Sequence, residues 1–202
     1  HVSKHGHSDL IIFNTCSFTS EAERQARQAI RSAKNNRPDA KILVTGCAAQ
    51  INPEKWSSMS EVNFVIGNKE KLDDKFWGSF NLDLNLENND KVFVQNIMQV
   101  KKTSEHLIES FNKHTRGFVQ VQNVCDHRCT FCVIPFGRGP SRSVSTYNVI
   151  NSINSLIDNG IKEVVLTGVD LTSWGNDIFG KPSLGLLVKK ILKNIPDLPR
   201  LR

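Results

Sequence analysis

Short runs of consecutive apolar residues alternate along the chain with longer segments whose apolar residues recur at helical spacing. In the first half, the short runs predict β-strands at residues 9–14, 41–45 and 62–66, the first of them buried on both faces, and a short strand at 91–94. Alternation of strands with helices indicates a parallel sheet with right-handed crossovers. The first half is therefore expected to be an α/β domain.

The segment between the first two predicted strands has the pattern of an amphipathic helix. Ser20 with Glu23 matches a capping box at its start. The residues expected on its buried face are Ala22, Ala26, Ala29, Ile30 and Ala33. The basic residues of the same helix are Arg24, Arg27, Arg31 and Lys34. We interpret them as an ordinary solvated face, in preference to a surface that contacts phosphates. A further short helix is predicted to begin at Pro53, and another covers residues 69–77.

The second half shows the same alternation. Residues 116–122 alternate like a strand, residues 163–167 form the next strand, and helices are predicted to begin after Ser145 and Ser183. Residues 137–140, which contain two glycines and a proline, predict a loop. This order is typical of two βα units of a larger barrel, and such a partial barrel cannot close without more strands.

Two polar stretches separate these halves. Residues 78–90 are polar, rich in Asn and without a convincing helical period, and residues 101–113 are polar and basic. We therefore predict a first domain at residues 1–80, a linker at 81–113 and a second domain at 114–202.

Composition excludes some classes of protein. The chain has 202 residues, of which 39% are hydrophobic, but no apolar run of about 18 residues that would span a membrane, and no signal peptide. Its five cysteines are an odd number, which argues against a secreted disulfide scaffold and favours a reducing cytoplasm. The net charge of +6 is compatible with a nucleic-acid partner.

Three cysteines share one loop at the end of the predicted strand 116–122, with the spacing Cys125-x3-Cys129-x2-Cys132. Soft thiolates this close together suit iron–sulfur or zinc binding. Zinc ribbons use pairs of cysteines and four ligands, whereas three cysteines on a cubane cluster leave one iron open for a substrate. The alternatives are a redox pair at Cys129 and Cys132, or three unrelated thiols. His127, between the ligands, is interpreted as a solvated loop residue.

The other two cysteines, Cys16 and Cys47, each follow a predicted parallel strand by one or two residues. Because the carboxyl ends of parallel strands lie at one edge of a sheet, we expect the two thiols to be neighbours. The alternative is two separate structural thiols. In the second half, the strand 163–167 delivers Gly168 and Asp170 to the same edge as the cysteine loop.

Several motifs together resemble those of the radical S-adenosylmethionine (SAM) methylthiotransferases. They are Asn14-Thr15-Cys16, the segments 46–50 and 137–142, and the loop of three cysteines. The stretches 26–30, 45–50 and 165–172 are most similar to the branch of tRNA threonylcarbamoyladenosine methylthiotransferases. The resemblance covers essentially the whole chain.

The resemblance implies two [4Fe–4S] clusters and SAM as cofactors. Cys125, Cys129 and Cys132 would hold the cluster that cleaves SAM. Cys16 and Cys47 would be two of the three ligands of an auxiliary cluster, whose third ligand follows an earlier strand that this chain lacks. Phe131 would lie by the adenine of SAM. Gly168 and Asp170 would lie near its methionine end.

The implied activity is the addition of a methylthio group to C2 of N6-threonylcarbamoyladenosine 37 in the anticodon loop of tRNA. An electron donor such as flavodoxin or ferredoxin would serve it. The alternatives are the sister branches that act on isopentenyl-adenosine 37 or on an aspartate of a ribosomal protein. A non-catalytic iron–sulfur electron carrier is an alternative from a different class.

Two features depart from the family pattern. Val124 stands where the family usually has Gly before the first cysteine, and a β-branched residue resists a positive φ. The chain also does not begin with Met and stops just as another strand begins. We therefore expect it to be a fragment that is inactive by itself.

Overall fold

The computed structural model describes residues 9–80, 91–100 and 116–202. The described chain forms two compact units. The first unit contains the described residues up to Val100 together with Cys129–Gly139. The second unit contains residues 116–128 together with Pro140–Arg202. Most of the predicted linker lies outside the described residues, and the domain boundaries drawn from the sequence stay a prediction.

The first unit is built on a parallel sheet whose strands follow the order β1-β2-β3-β4. The strands are β1 (Leu10–Thr15), β2 (Lys41–Gly46), β3 (Phe64–Ile66) and β4 (Val92–Phe93). Its helices are α1 (Ser20–Asn36), α2 (Cys47–Ile51), α3 (Pro53–Ser57), α4 (Asp74–Ser79) and α5 (Ile134–Arg138). The predicted parallel sheet and the helix beginning at Pro53 are confirmed.

Side chains of β2 alternate between the two faces of this sheet. Ile42 and Val44 pack on one face with Ile30 of α1 and with Trp56, all buried. Leu43 packs on the other face with Phe64, against an aromatic group that consists of Phe76, Trp77, Phe80 and Phe93. Both faces of β2 and β3 are therefore covered, which explains their continuous apolar sequences.

Strand β1 does not match its prediction of burial on both faces. Ile12 is 53% exposed. The reason is position, because β1 pairs only with β2 among the described strands and no described helix covers the outer side of Ile12.

Three further details of the first unit correct the sequence predictions. The residue that caps α1 is Thr19, whose Oγ1 accepts a hydrogen bond from the Ala22 amide at 3.1 Å, and not Ser20. Ala29 is exposed and does not belong to the buried face. The helix predicted at 69–77 is divided into a 3₁₀ turn at Glu70–Leu72 and helix α4, because the Asp73 side chain caps a new helix.

The basic residues of α1 largely pair with acidic residues of the same unit. Arg24 contacts Glu21 at 2.7 Å, and Arg31 contacts Glu61 at 3.6 Å. The Lys34 ammonium donates to the Ala40 carbonyl at 3.0 Å. These contacts favour the solvated-face interpretation.

The second unit contains a parallel sheet in the order β5-β8-β9 and a small antiparallel pair, β6 with β7. The strands are β5 (Arg116–Gln120), β6 (Gln122–Asn123), β7 (Arg142–Ser143), β8 (Glu163–Thr167) and β9 (Arg200–Leu201), and the helices are α6 (Thr146–Asp158) and α7 (Leu184–Asn194). Ser145 and Ser183 cap the two helices as predicted. The α/β fold class is confirmed, with a parallel-sheet unit followed by part of a βα barrel.

Two predictions around the cysteine loop are wrong in detail. The strand predicted at 116–122 ends at Gln120, because Gln122 pairs with Ser143 in an antiparallel sheet. The loop predicted at 137–140 begins inside helix α5, which ends only at Arg138, with Gly139 at φ 87° as its C-cap.

No helix in the described ranges combines the length and the apolar character that crossing a membrane requires.

Candidate functional site

The ends of β1 and β2 bring Cys16 and Cys47 to one edge of the first sheet. Thr15 and Gly46 are register partners in the parallel pair, and each cysteine follows its partner directly. The Thr15 hydroxyl donates to the Thr45 carbonyl at 2.6 Å and accepts from the Ala49 amide at 3.3 Å. The two strand ends are therefore side by side, as the sequence predicted, and Thr15 ties them to the start of α2.

Gly46 allows this close approach. Its φ is 101°, and a Cβ built on it would collide with the carbonyl oxygen of Thr15 and lie 2.8 Å from Asn14 Oδ1. An L side chain is disfavoured at this φ and has no room here. The glycine before Cys47 is thus dictated by the packing of the two strand ends.

Cys47 is half-buried under helix α5. A Cβ built on Gly137 would lie 3.0 Å from Cys47 Cβ. The Asn68 amide donates to the Gly137 carbonyl at 2.5 Å, and its Nδ2 lies 3.9 Å from Cys47 Sγ. Sequence reasoning missed Asn68, because nothing in its local pattern distinguishes it from an ordinary loop residue.

A lysine contributes positive charge at this edge. Lys71 Nζ donates to Asn14 Oδ1 at 3.3 Å. Burial is the main cause that lowers the pKa of Lys71; the Cys47 thiol opposes this effect and the nearby Arg138 adds to it. Cys47 therefore lies in a region that carries basic groups.

In the second unit, Cys125 lies beside Asp170. The distance from Cys125 Sγ to Asp170 Oδ2 is 4.0 Å, and His127 Nε2 lies 3.4 Å from the same oxygen. His127 is exposed, as a solvated loop residue should be, yet it also contacts Asp170. The structure thus brings together a predicted cluster ligand and a predicted SAM-binding residue.

The Asp170 carboxylate is oriented by two hydroxyl groups. Ser173 Oγ donates to Oδ2 at 2.5 Å, and Thr172 Oγ1 donates to Oδ1 at 2.6 Å. These hydrogen bonds, Ser173 first, lower the pKa of Asp170, and the neighbouring His127 adds a smaller effect in the same direction. Asp170 is therefore ionised at neutral pH and held in one orientation.

Gln122 links the cysteine loop to Asp170, and sequence reasoning missed it. Its side chain is fully buried. Its Nε2 donates to the Val124 carbonyl at 2.7 Å and to Ser141 Oγ at 2.9 Å, and its Oε1 accepts from the Asp170 amide at 2.9 Å. One side chain thus positions both the residue before Cys125 and the backbone of Asp170. The alternating pattern of residues 116–122 places Gln122 on the same face as the polar Arg116 and Gln120, so the sequence carries no signal that distinguishes it.

The turn into Cys125 has an uncommon backbone conformation. Val124 has φ 69° and is fully buried. A β-branched residue in this region is strained, and the buried side chain together with the Gln122 hydrogen bond holds it there. The departure noted from the sequence at this position therefore coincides with a real positive φ.

Gly168 follows β8 in the second unit, whereas Cys129, Phe131 and Cys132 lie in the first unit. Cys129 is exposed and Cys132 is half-buried, and the Cys132 amide donates to the Cys129 carbonyl at 3.0 Å. Phe131 is 89% exposed. All five cysteines are free thiols. The assignment of ligands to clusters and of Phe131 to SAM stays a prediction.

The second unit contains a cavity of about 310 Å³ beside His127. Its lining is polar and consists of Asp126, His127, Ser141, Ser173, Asn176 and Asp177. The Asp126 carboxylate accepts from the Ser141 amide at 2.8 Å, and the Asp177 carboxylate accepts from the Ser143 amide at 2.9 Å. Such a cavity suits a small polar ligand.

Two family models match separate parts of this chain. Residues 1–67 match the uncharacterized protein family UPF0004, and residues 119–197 match the radical SAM superfamily. The chain therefore joins a UPF0004 segment to a radical SAM segment.

Curated proteins similar to this chain narrow the class of radical SAM protein that it resembles. Threonylcarbamoyladenosine tRNA methylthiotransferase MtaB of Rickettsia prowazekii is 48% identical over 98% of this chain and 45% of its own length. The protein of the same name from Bacillus subtilis is 35% identical over 85% of this chain and 37% of its own length. The resemblance to the radical SAM methylthiotransferases is confirmed, and the chain spans less than half the length of these relatives.

A curated relative of another branch and a solved structure are less similar to this chain in sequence. The ribosomal protein uS12 methylthiotransferase RimO of Acetivibrio thermocellus is 31% identical over 91% of this chain and 42% of its own length. A structure of the radical SAM methyltransferase TsrM from Kitasatospora setae, with tryptophan and a SAM analogue bound, has a TM-score of 0.58 at 17% identity, over 97% of this chain and 43% of that one. The latter supports the fold alone.

Proposed function

We propose that this protein is a radical SAM methylthiotransferase that acts on C2 of N6-threonylcarbamoyladenosine 37 in tRNA. The observation that carries the proposal is the 48% identity to the Rickettsia prowazekii methylthiotransferase over 98% of this chain. The same aligned region contains all five cysteines, each in a loop or helix that follows a strand.

The residues of the cysteine loop fit an iron–sulfur cluster. Cys125, Cys129 and Cys132 are free thiols, exposed or half-buried, and thiolates are the usual ligands of such clusters. A [4Fe–4S] cluster held by three cysteines supplies the electron and the open iron site with which SAM is cleaved. The protein supplies orientation and a suitable electrostatic environment.

Asp170 is proposed to orient SAM. Its carboxylate is ionised and fixed by Ser173 and Thr172, and so presents a negative charge to the ammonium group of the methionine part. Gly168, which makes room for Gln122, is proposed to lie near the methionine end of SAM as well. Phe131, whose ring is exposed, is proposed to lie against the adenine.

Cys16 and Cys47 are proposed to hold an auxiliary [4Fe–4S] cluster together with a third ligand outside this chain. Their neighbouring positions at the ends of β1 and β2 support a shared site. The Lys71 ammonium, which donates to Asn14 Oδ1, lies at the same edge, and the protonated form would favour a cluster whose thiolate ligands are anionic. The role of this site is the delivery of sulfur.

The proposed substrate is an unpaired base of the anticodon loop, because a base inside a duplex is not accessible to an active site. An electron donor such as flavodoxin or ferredoxin and a cytoplasmic location follow from this reading. The 31% identity to RimO keeps the ribosomal-protein branch as the second candidate. Activity on isopentenyl-adenosine 37 is the third.

Mass spectrometry of tRNA nucleosides from a deletion strain identifies the substrate. We expect loss of the methylthio group from threonylcarbamoyladenosine 37 and its retention on isopentenyl-adenosine 37. Loss from the latter alone would assign the protein to the sister branch. An intact set of tRNA nucleosides, with an unmodified aspartate in the ribosomal protein, would assign it to the RimO branch.

Variants of the full-length enzyme, reconstituted without oxygen, test whether the two groups of cysteines have different roles. Cys129→Ala should produce neither 5′-deoxyadenosine nor methylthiolated tRNA. Cys16→Ala and Cys47→Ala should still produce 5′-deoxyadenosine but no methylthio product. If Cys16→Ala kept full methylthiolation over many turnovers, the assignment of an auxiliary cluster to Cys16 would be overturned.

A further inference from the structure

Three side chains of different chemistry converge in the second unit. The ligand atoms of Cys125, His127 and Asp170 all lie within 4.8 Å of one another. Asp170 Oδ2 lies 3.4 Å from His127 Nε2 and 4.0 Å from Cys125 Sγ. A thiol, an imidazole and a carboxylate at such distances form a set of soft, intermediate and hard donors.

These distances approach those of a metal site. Zn–N and Zn–O bonds of about 2.0–2.1 Å and Zn–S bonds of about 2.3 Å, in a tetrahedron, require donor atoms roughly 3.3–3.6 Å apart. The His127–Asp170 separation already has this value, and the Cys125–Asp170 separation exceeds it slightly. The donor atoms of Cys125 and His127 lie within 4.8 Å of each other, so the Cys125 thiol must move toward the other two donors to complete the arrangement.

The surroundings hold two of the three donors in place. Thr172 and Ser173 fix the Asp170 carboxylate through its two oxygens. The buried Gln122 accepts from the Asp170 amide and donates to the carbonyl of Val124, the residue before Cys125. Such outer hydrogen bonds orient the ligands of metal sites, and here they exist before any metal binds.

We propose that Cys125, His127 and Asp170 bind one zinc ion in the protein that does not carry an iron–sulfur cluster. A water molecule takes the fourth position. Zinc suits this mixture of sulfur, nitrogen and oxygen, whereas Mg²⁺ and Ca²⁺ prefer oxygen ligands alone.

Zinc at this site would affect cluster assembly. While zinc occupies the site, Cys125 is not available as a cluster ligand, so zinc and the cluster exclude each other. His127 is the residue that distinguishes the two states, because the three-cysteine cluster does not need it. The proposal for zinc itself does not depend on the proposed function.

The binding test uses the full chain with Cys16, Cys47, Cys129 and Cys132 replaced by Ser, so that Cys125 is the remaining thiol. Zinc is titrated against a chromophoric chelator in the absence of oxygen. We expect one equivalent to bind, and His127→Ala to weaken its affinity at least about tenfold, as the loss of a ligand requires. Mg²⁺ at the same concentration should not compete.

Matched variants test whether a loss of zinc affinity comes from the loss of a ligand, from the loss of a charge or from misfolding. Asp170→Asn should weaken zinc binding, whereas Asp177→Asn, which removes the same charge from the cavity that His127 lines, should leave the affinity unchanged. His127 is exposed, so its truncation leaves the core intact, and circular dichroism checks this. In the chain with all five cysteines, His127→Ala should likewise reduce zinc affinity or stoichiometry.

Cobalt provides the spectroscopic check. Co²⁺ in the single-thiol chain should show a thiolate-to-metal charge-transfer band, which Cys125→Ser abolishes and His127→Ala shifts or weakens. Zinc affinity that is the same in the parent, His127→Ala and Asp170→Asn chains would overturn the proposal. So would a cobalt complex without the thiolate band.

Discussion

Gln122 occupies the space that a side chain at Gly168 would need. A Cβ built on Gly168 would lie 3.0 Å from Gln122 Oε1, 3.0 Å from Gln122 Cβ and 2.8 Å from Leu171 Cδ2. The glycine after β8 therefore has a packing reason of its own, because it makes room for the side chain that positions the Asp170 amide.

Replacing Gly168 by Ala should lower the free energy of unfolding by about 1–3 kcal/mol, as overpacking does. The measurement is urea unfolding of the purified protein. Gly185 is a control in the same unit, because it lies in helix α7 with only Ser183 Oγ near a built Cβ, at 3.8 Å. Gly185→Ala should raise stability by about 1 kcal/mol. Equal effects of the two substitutions would contradict the packing argument.

The positive φ of Val124 predicts an inverted order of two truncations. Val124→Ala and Val124→Gly both remove a buried side chain, but the left-handed conformation costs a residue with a Cβ about 1–2 kcal/mol. The Gly variant should therefore be the more stable of the two, by about 1 kcal/mol.

Val164 of β8 is the control for this comparison, because it is equally buried and has no positive φ. There the Ala variant should be more stable than the Gly variant by about 0.5–1 kcal/mol. Chemical denaturation measures the stability of all four variants. If the Ala variant were more stable than the Gly variant at both positions, Val124 would not be strained.

Glu70 of the first unit carries a buried carboxylate, only 6% exposed, for which the described residues provide no hydrogen-bond donor. One of its oxygens crowds the space beside Gly67, where Gln50 Oε1 also lies. Glu70→Gln removes the charge and adds a donor, and should stabilise the protein by about 1–2 kcal/mol. The exposed Glu54→Gln should change stability by less than about 0.5 kcal/mol. A loss of stability in Glu70→Gln would point to a partner beyond the described residues.

The Glu21 carboxyl at the start of α1 should titrate at unusually low pH. Hydrogen bonds from Arg24, and then from Gln25, lower its pKa from 4.5 to about 2. A folded-state pKa below the unfolded value stabilises the fold above about pH 4.5, and this contribution disappears as the pH falls toward 2. Its size is small, because both side chains are exposed and water screens the pair.

An NMR titration of the Glu21 carboxyl carbon measures this pKa directly. Arg24→Ala should return it toward 4.5. Arg31→Ala is the matched control, since Arg31 pairs with Glu61 and should leave the pKa of Glu21 at about 2. A similar shift in both variants would indicate a general effect of net charge and not the specific hydrogen bonds.

Much of the fold could be predicted because its signals are local. Continuous apolar runs and capping serines identified the strands at 41–45 and 163–167 and the starts of α6 and α7, since periodicity and caps depend on neighbouring residues. The positions of Cys16 and Cys47 directly after parallel strands were enough to predict that they lie side by side. Parallel pairing places all carboxyl ends at one edge.

The sequence by itself thus determined the α/β class, the order of most elements and the residue types that can bind a cluster. Only the tertiary structure decided which side chains orient them. Gln122 and Asp170 are 48 positions apart, and Asn68 and Gly137 are 69 apart, so no local pattern encodes their hydrogen bonds. The contact of His127 with Asp170 has the same origin. These contacts arise when distant segments pack, because buried polar groups must then find partners across the fold.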